Sequence, residues 1–96
     1  MYSQIKKRNG QVAIFNKEKI TTAIAKAGEV TGEFDLGDVG NLAKKVIVCC
    51  EEVIDDEVPR VEQIQDVVED VLLQSKFKKT AKAYILYREQ HTQLRD

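Results

Sequence analysis

A β-hairpin capping a four-helix bundle, an α+β fold that is mainly α, is the architecture this sequence predicts. Three observations carry the expectation. Asn9-Gly10 stands between two short arms of alternating character, a strong hairpin signal because both residues tolerate positive φ. Four later segments repeat apolar residues at the i, i+3, i+4, i+7 spacing of amphipathic helices. Loop-forming stretches and a single proline, Pro59, separate those segments.

Taken in order, the hairpin arms are expected at residues 2–8 and 11–15, joined by a two-residue type I′ turn. Val12 and Ile14 share one face of the second arm, Ala13 and Phe15 the other. Two strands alone are marginal in water, so the hairpin must lie on other elements. Asn16 is a good N-cap for the first helix, in which Ile20, Ala23, Ile24 and Ala27 form the stripe and Gly28 the stop. Residues 30–37 read as loop. A second helix is expected from about Asp38, with Val39, Leu42, Ala43, Val46, Ile47, Cys50, Val53 and Ile54 facing inward. Residues 55–60 break it, because Pro59 biases its neighbour away from helix. A third helix from about Val61 buries Ile64, Val67, Val68, Val71 and Leu72. The basic stretch SKFKK is a connector, and the last helix, residues 80–93, carries Ala81, Tyr84, Ile85 and Arg88 on one face.

The 96 residues suit one small domain, and 43% hydrophobic with 32% charged residues suits an ordinary soluble globule. No run approaches the roughly 20 apolar residues that cross a bilayer. Residues 1–10 are polar and basic, without the apolar core of a signal peptide, so a cytoplasmic location is expected. Cys49 and Cys50 are adjacent, which suits neither a CxxC redox motif nor a zinc knuckle; they read as small buried hydrophobes in a reducing compartment.

The formal net charge of −1 conceals a segregation. Residues 1–28 hold six cations against one carboxylate, residues 29–75 three against 13, and residues 76–96 six against two. Two basic ends therefore flank an acidic middle. The first turn of helix one, Asn16-Lys17-Glu18-Lys19, adds lysines to a helix end that already carries positive partial charge. Lys6, Lys7 and Arg8 stand nearby at the hairpin. An anion held at that place resolves the conflict; lysines fanned into salt water are the alternative. Neither GxxxxGK[ST] nor GxGxxG occurs, so side chains and a helix end, not a glycine cradle, would hold any phosphate. Tyr84 suits the core edge, whereas Tyr87 could present its ring to a base near Lys82, Arg88 or His91.

Catalysis is poorly served. His91 is the single histidine, with no evident acid or nucleophile beside it. Glu62, Asp66, Glu69 and Asp70 share helical spacing, but neither His nor Cys joins them, and no metal site is assigned. A nucleic-acid-binding helical domain is compatible with basic ends and helices but opposed by a pI near 5.9. A purely structural dimerisation domain stays open on the same residues.

The blocks IKKRNGQVAIFNKEKITTAIAKA, VEQIQDVVEDVLL and AKAYILYREQ, in that order, resemble the ATP-cone domain, with coverage from about residue 5 to residue 91. The resemblance implies an allosteric regulatory module over residues 1–96 rather than an enzyme. It would bind ATP or dATP, with Mg2+ accompanying the phosphates, and would switch a ribonucleotide reductase through oligomeric assembly. Its implied partners are copies of itself and a reductase catalytic domain in cis or trans, not a membrane or nucleic acid. Cones also occur in a nucleotide-responsive transcriptional repressor, but no zinc ribbon precedes this one. The closing block favours the anaerobic branch of reductases. Residue by residue, Lys7 and Arg8 match turn cations that meet phosphate and base. Asn16 and Lys19 match helix-start residues that grip the nucleotide, and Ile20 flanks the base. Ile64 matches a pocket-lining position, Val61 stands where the family often has threonine, and His91 where some members have lysine. Tyr87 falls where an aromatic ring can approach the base.

Overall fold

The computed structural model describes residues 2–33 and 36–95; the side chains of Leu36 and of residues 91–95 lie outside that description. Strands β1 (Gln4–Lys6) and β2 (Val12–Ile14) form an antiparallel hairpin, followed by α1 (Glu18–Thr31), α2 (Leu36–Val53), α3 (Val61–Gln74) and α4 (Lys78–Arg95). Each helix packs on two others, α1 and α3 each lying between α2 and α4. The core they enclose centres on Ile24, Val46, Val68 and Leu72, and the mainly helical α+β expectation holds.

The hairpin turn differs from the expected type I′. Gly10 has φ 88° and no non-glycine residue among those described has positive φ, so Asn9 does not adopt the turn's first left-handed position. Lys7 N donates to Gln11 O (2.7 Å) and Gly10 N to Lys7 O (2.9 Å), which closes a three-residue loop, Arg8-Asn9-Gly10. The pairing is therefore Ile5↔Ala13, one residue out of step with a two-residue turn. That step decides which side chains face the protein. Ile5, Ala13 and Phe15 turn inward, while Val12 and Ile14 are exposed on the outer face.

Three contacts seat the hairpin. Lys6 N donates to Pro59 O (2.8 Å), extending β1 toward the start of α3. The Tyr2 hydroxyl lies 2.7 Å from Cys50 O, in the last turn of α2, and 2.9 Å from Ile54 O, just past the helix end. The Tyr2 ring meets Phe15 edge-on, with centroids 5.7 Å apart. Burial and the nearby Cys50, Glu51, Asp55 and Asp56 push the Tyr2 hydroxyl's pKa upward, so it remains a donor at neutral pH.

Several boundaries shift from those expected. Gly28 is buried inside α1 instead of ending it; the stop is Gly32, whose φ of 69° is left-handed and whose N–H reaches Gly28 O at 2.7 Å. Either glycine could terminate the helix, and tertiary anchoring selects the later one. Thr31 Oγ1 lies 2.8 Å from the buried Thr80 Oγ1 and 3.1 Å from Gly28 O, the two acceptors between which its one proton is shared. The predicted loop is correspondingly shorter, and α2 begins at Leu36. On α2 the stripe runs through Val39, Leu42, Val46, Cys50 and Ile54, a mean spacing that rotates Val53 outward to 66% exposure. Cys50 is buried as a free thiol, and desolvation with the adjacent Cys49 and Glu51 pushes its pKa up to about 11. SKFKK is not simply a connector: Phe77 is buried and α4 starts at Lys78.

The early start of α4 places Lys78 and Lys79 at a helix N-terminus, which the macrodipole disfavours. The chain supplies its own answer. Glu33, in the α1–α2 connection, accepts from Thr80 N (2.6 Å) and Thr80 Oγ1 (2.8 Å). Desolvation acts to raise the Glu33 carboxyl, but the Thr80 bonds, the Lys79 amide and the Lys79 charge outweigh it and hold the pKa below the ordinary 4.5. A carboxyl with a lowered folded pKa stabilises the fold above its unfolded value and ceases to as pH falls through the folded one. Chemical denaturation of wild type should therefore show stability falling below pH 4.5, whereas Glu33→Gln starts lower at neutral pH and loses less on acidification. Identical pH profiles for the two proteins would show that Glu33 does not secure α4.

Candidate functional site

A cavity of about 200 Å³ opens between the hairpin, α1, α3 and α4. Its position follows from the elements just described. The hairpin, tied to Pro59 and to the end of α2, overhangs the first turn of α1 and the pocket-facing stripe of α3. Lys7, Arg8 and Phe15 enter from the hairpin. Asn16 stands at the junction, and Lys19, Ile20 and Ala23 come from successive positions of one α1 face. Val61, Ile64, Gln65 and Val68 form the α3 wall at the i, i+3, i+4, i+7 spacing, and Tyr84 and Tyr87 close the side from α4.

The cavity has an apolar floor and a basic rim. Ile64 is 4% exposed, Val68 2% and Tyr84 3%, whereas Lys7 and Lys19 are exposed and Arg8 is half-buried. Asn16 Oδ1 accepts from Glu18 N (3.0 Å), and Lys19 N donates to Asn16 O (3.1 Å). Asn16 thus caps α1 by its side chain even though Lys17 already has helical dihedrals. Arg8 Nη2 donates to Gln65 Oε1 at 2.8 Å, a bond that reaches from the hairpin tip to α3. Among the described residues no carboxylate pairs with Lys7, Lys19 or Arg8. The other partly buried cation among the described residues is treated differently: Arg88 pairs with Asp66 (2.7 Å) and Glu69 (3.4 Å) across α3 and α4.

Tyr84 and Tyr87 differ as the spacing suggested. Their ring centroids lie 6.3 Å apart at a tilt of 31°. Tyr84 is buried, and desolvation drives its hydroxyl pKa up despite the opposing Arg88 charge, so the phenol stays neutral. Tyr87 is half-buried and faces the opening.

Eight of the nine residues singled out from the sequence line this one cavity: Lys7, Arg8, Asn16, Lys19, Ile20, Val61, Ile64 and Tyr87. The ninth, His91, has its side chain outside the described residues. Lys6 and Lys17, which the charge argument grouped with them, are not part of the lining. Strand alternation turns Lys6 to the outer face with Gln4. Arg88, considered as a neighbour for a base, is committed to Asp66 and Glu69. Sequence reasoning missed Phe15, Gln65 and Val68 as wall residues. Phe15 was legible from hairpin alternation, and the other two from the helical spacing that begins at Val61.

The family model described as the ATP cone domain matches residues 3–93. The chain belongs to the ATP-cone family. It is 45% identical over 101 residues to a vitamin B12-dependent ribonucleoside-diphosphate reductase of Thermoplasma acidophilum, covering 100% of this chain and 13% of that relative. It is 36% identical over 99 residues to a ribonucleoside-diphosphate reductase subunit alpha of Chlamydia muridarum, covering 94% of this chain and 10% of the relative. A subunit alpha of Chlamydia pneumoniae is 32% identical over 96 residues, with 93% and 9% covered. The chain thus spans about an eighth or less of the length of each of these relatives. Membership of the family supports a nucleotide-binding regulatory role for this ATP cone. No described helix is long and apolar enough to cross a membrane.

The burial contrast at the cavity wall has a measurable consequence. Tyr84→Ala should destabilise the cone by about 3–5 kcal/mol, as expected of a large buried aromatic, while Tyr87→Ala should cost less than about 1 kcal/mol. Urea denaturation distinguishes them, and comparable losses in both variants would contradict the assignment of Tyr84 to the floor and Tyr87 to the mouth.

Proposed function

We propose that residues 1–96 act as one nucleotide-sensing domain, binding ATP or dATP in the hairpin cavity and passing the bound state to a reductase through oligomeric assembly. The observation that carries this reading is the contrast between two cationic helix starts. At α4 the chain answers Lys78 and Lys79 with the Glu33 carboxylate. At α1 it leaves Lys7 and Lys19 facing a cavity with no described carboxylate partner. A polyphosphate supplies the missing negative charge, and the apolar floor beside it suits a purine ring.

Each part of the cavity then has a task. Lys7 and Lys19 hold phosphate oxygens by charge-assisted hydrogen bonds, helped by the positive end of α1. Ile20, Val61 and Ile64 cover one side of the base, and Tyr87 approaches it from α4. About three charge-assisted bonds at roughly 1.5–3 kcal/mol each, with burial of the base, offset immobilisation and reach the roughly 8 kcal/mol of a micromolar site. Magnesium accompanies the phosphates as their counter-ion.

Regulation follows if the two effectors favour different arrangements of protomers. A nucleotide shifts such an equilibrium only as far as it binds one arrangement more tightly than the other. The partners under this reading are further copies of the cone and the catalytic part of a reductase, in the cytoplasm where the nucleotide pool lies. The anaerobic branch implied by the closing block has no counterpart among the three relatives named above.

Calorimetric titration with ATP and dATP, combined with mass measurement in solution, tests the proposal. Lys7→Ala and Lys19→Ala should each weaken binding about tenfold or more, the loss of one charge-assisted bond, without lowering thermal stability. Near-wild-type affinity in both variants would refute it. Tight binding to nucleic acid with a steep salt dependence, and none to free nucleotide, would replace it with the nucleic-acid reading.

A further inference from the structure

The α3 wall of the cavity contains one anomaly. Val61, Ile64 and Val68 are apolar, as a surface facing a base should be, yet Gln65 stands on the same stripe. It is half-buried, four residues after Val61 and three before Val68, so it points into the cavity among apolar neighbours. Its carboxamide oxygen accepts from Arg8 Nη2 at 2.8 Å. A guanidinium has only donors, so the oxygen must be the end that faces Arg8. The amide nitrogen of this cavity-lining residue is thereby left with no hydrogen-bond partner among the described residues.

The rest of the polar lining has the same sense. Lys7, Lys19 and Arg8 can only donate, and Asn16 Oδ1 is occupied by Glu18 N. Apart from the tyrosine hydroxyls, which can do either, the cavity offers hydrogen-bond donors to whatever enters. A donor seated against the base wall discriminates between purines. Adenine has a ring acceptor at N1, where guanine and hypoxanthine carry an N–H that would face another N–H.

The geometry points to Gln65 as the residue by which this site selects its base: its carboxamide, oriented by Arg8, offers an N–H to the N1 acceptor of adenine and disfavours purines protonated there. The inference rests on the nucleotide-sensing reading above and assigns that site its specificity determinant. Arg8 acquires a second task, as the positioning residue that prevents the amide from rotating its oxygen inward. An unmatched pair of donors in a partly desolvated site is a familiar source of discrimination, because each loses water without gaining a partner.

Calorimetric titration of the 96-residue chain with ATP, GTP and inosine triphosphate tests this, in wild type, Gln65→Ala and Gln65→Glu. Inosine triphosphate isolates the N1 and 6 positions, because it lacks the exocyclic amine of guanine. Wild type should prefer ATP over the other two by about tenfold, the effect of one unmatched polar group. Gln65→Ala should bring the three affinities within about threefold of one another, chiefly by losing affinity for ATP. Gln65→Glu, nearly isosteric and offering only acceptors, should shift preference toward GTP and inosine triphosphate. If Gln65→Ala weakens all three equally, Gln65 merely positions Arg8 and the inference is overturned. Equal binding of the three by wild type also overturns it while leaving a triphosphate site in place. Absence of any triphosphate binding by wild type overturns the nucleotide-sensing reading itself, and this inference with it.

Discussion

The site depends on the hairpin being held in one place and one register. Two three-residue strands have too little buried surface to be stable alone. What holds them is a set of bonds to backbone carbonyls beside two helix ends: Lys6 N to Pro59 O, just before α3, and the Tyr2 hydroxyl to Cys50 O and Ile54 O, where α2 finishes. The three-residue loop then sets the pairing so that Ile5, Ala13 and Phe15 face the bundle. A slip of one residue would turn Val12 and Ile14 inward beside Ile5 in place of Ala13 and Phe15, and the cavity would lose its roof.

Electrostatics divides the molecule in the same way. Where a cation or a basic helix start is structural, the chain matches it: Arg88 lies between Asp66 and Glu69, and the start of α4 receives Glu33. Around the cavity it does not. Among the described residues Arg8 bonds only a neutral amide, and Lys7 and Lys19 stand over an apolar floor. Under the proposed nucleotide-sensing role, that difference separates charge that maintains the fold from charge kept for a ligand. It also explains how a chain of net charge −1 can present a basic site.

Much of this was legible in the sequence, and the parts that were not have physical reasons. Element types and order followed from apolar spacing, and eight of the nine site residues proved to share a cavity. Asn9-Gly10 announced a turn but not its length, because Gly10 serves a three-residue loop as readily as a type I′ turn and the supporting contact at Pro59 is remote in sequence. Gly28 was the expected stop for α1, but it is buried within the helix, which runs on to Gly32 with Thr31 bonded to the distant Thr80. Glu33 looked like one more carboxylate in an acidic loop, since nothing local links it to a helix start 47 positions away. Gln65 sat at a legible spacing, but its meaning came from Arg8, which the fold brings across from the hairpin.

The central claim is that the unmatched cations and the apolar floor form a single recess for one purine triphosphate. Amide chemical-shift mapping of the 96-residue chain during titration with ATP addresses it most directly. The account predicts saturable shifts concentrated at Lys7, Arg8, Asn16, Lys19 and Gln65, with α2, which contributes no residue to the cavity lining, unmoved. Shifts scattered over the basic residues of both chain ends without saturation, or none at the hairpin, would contradict it.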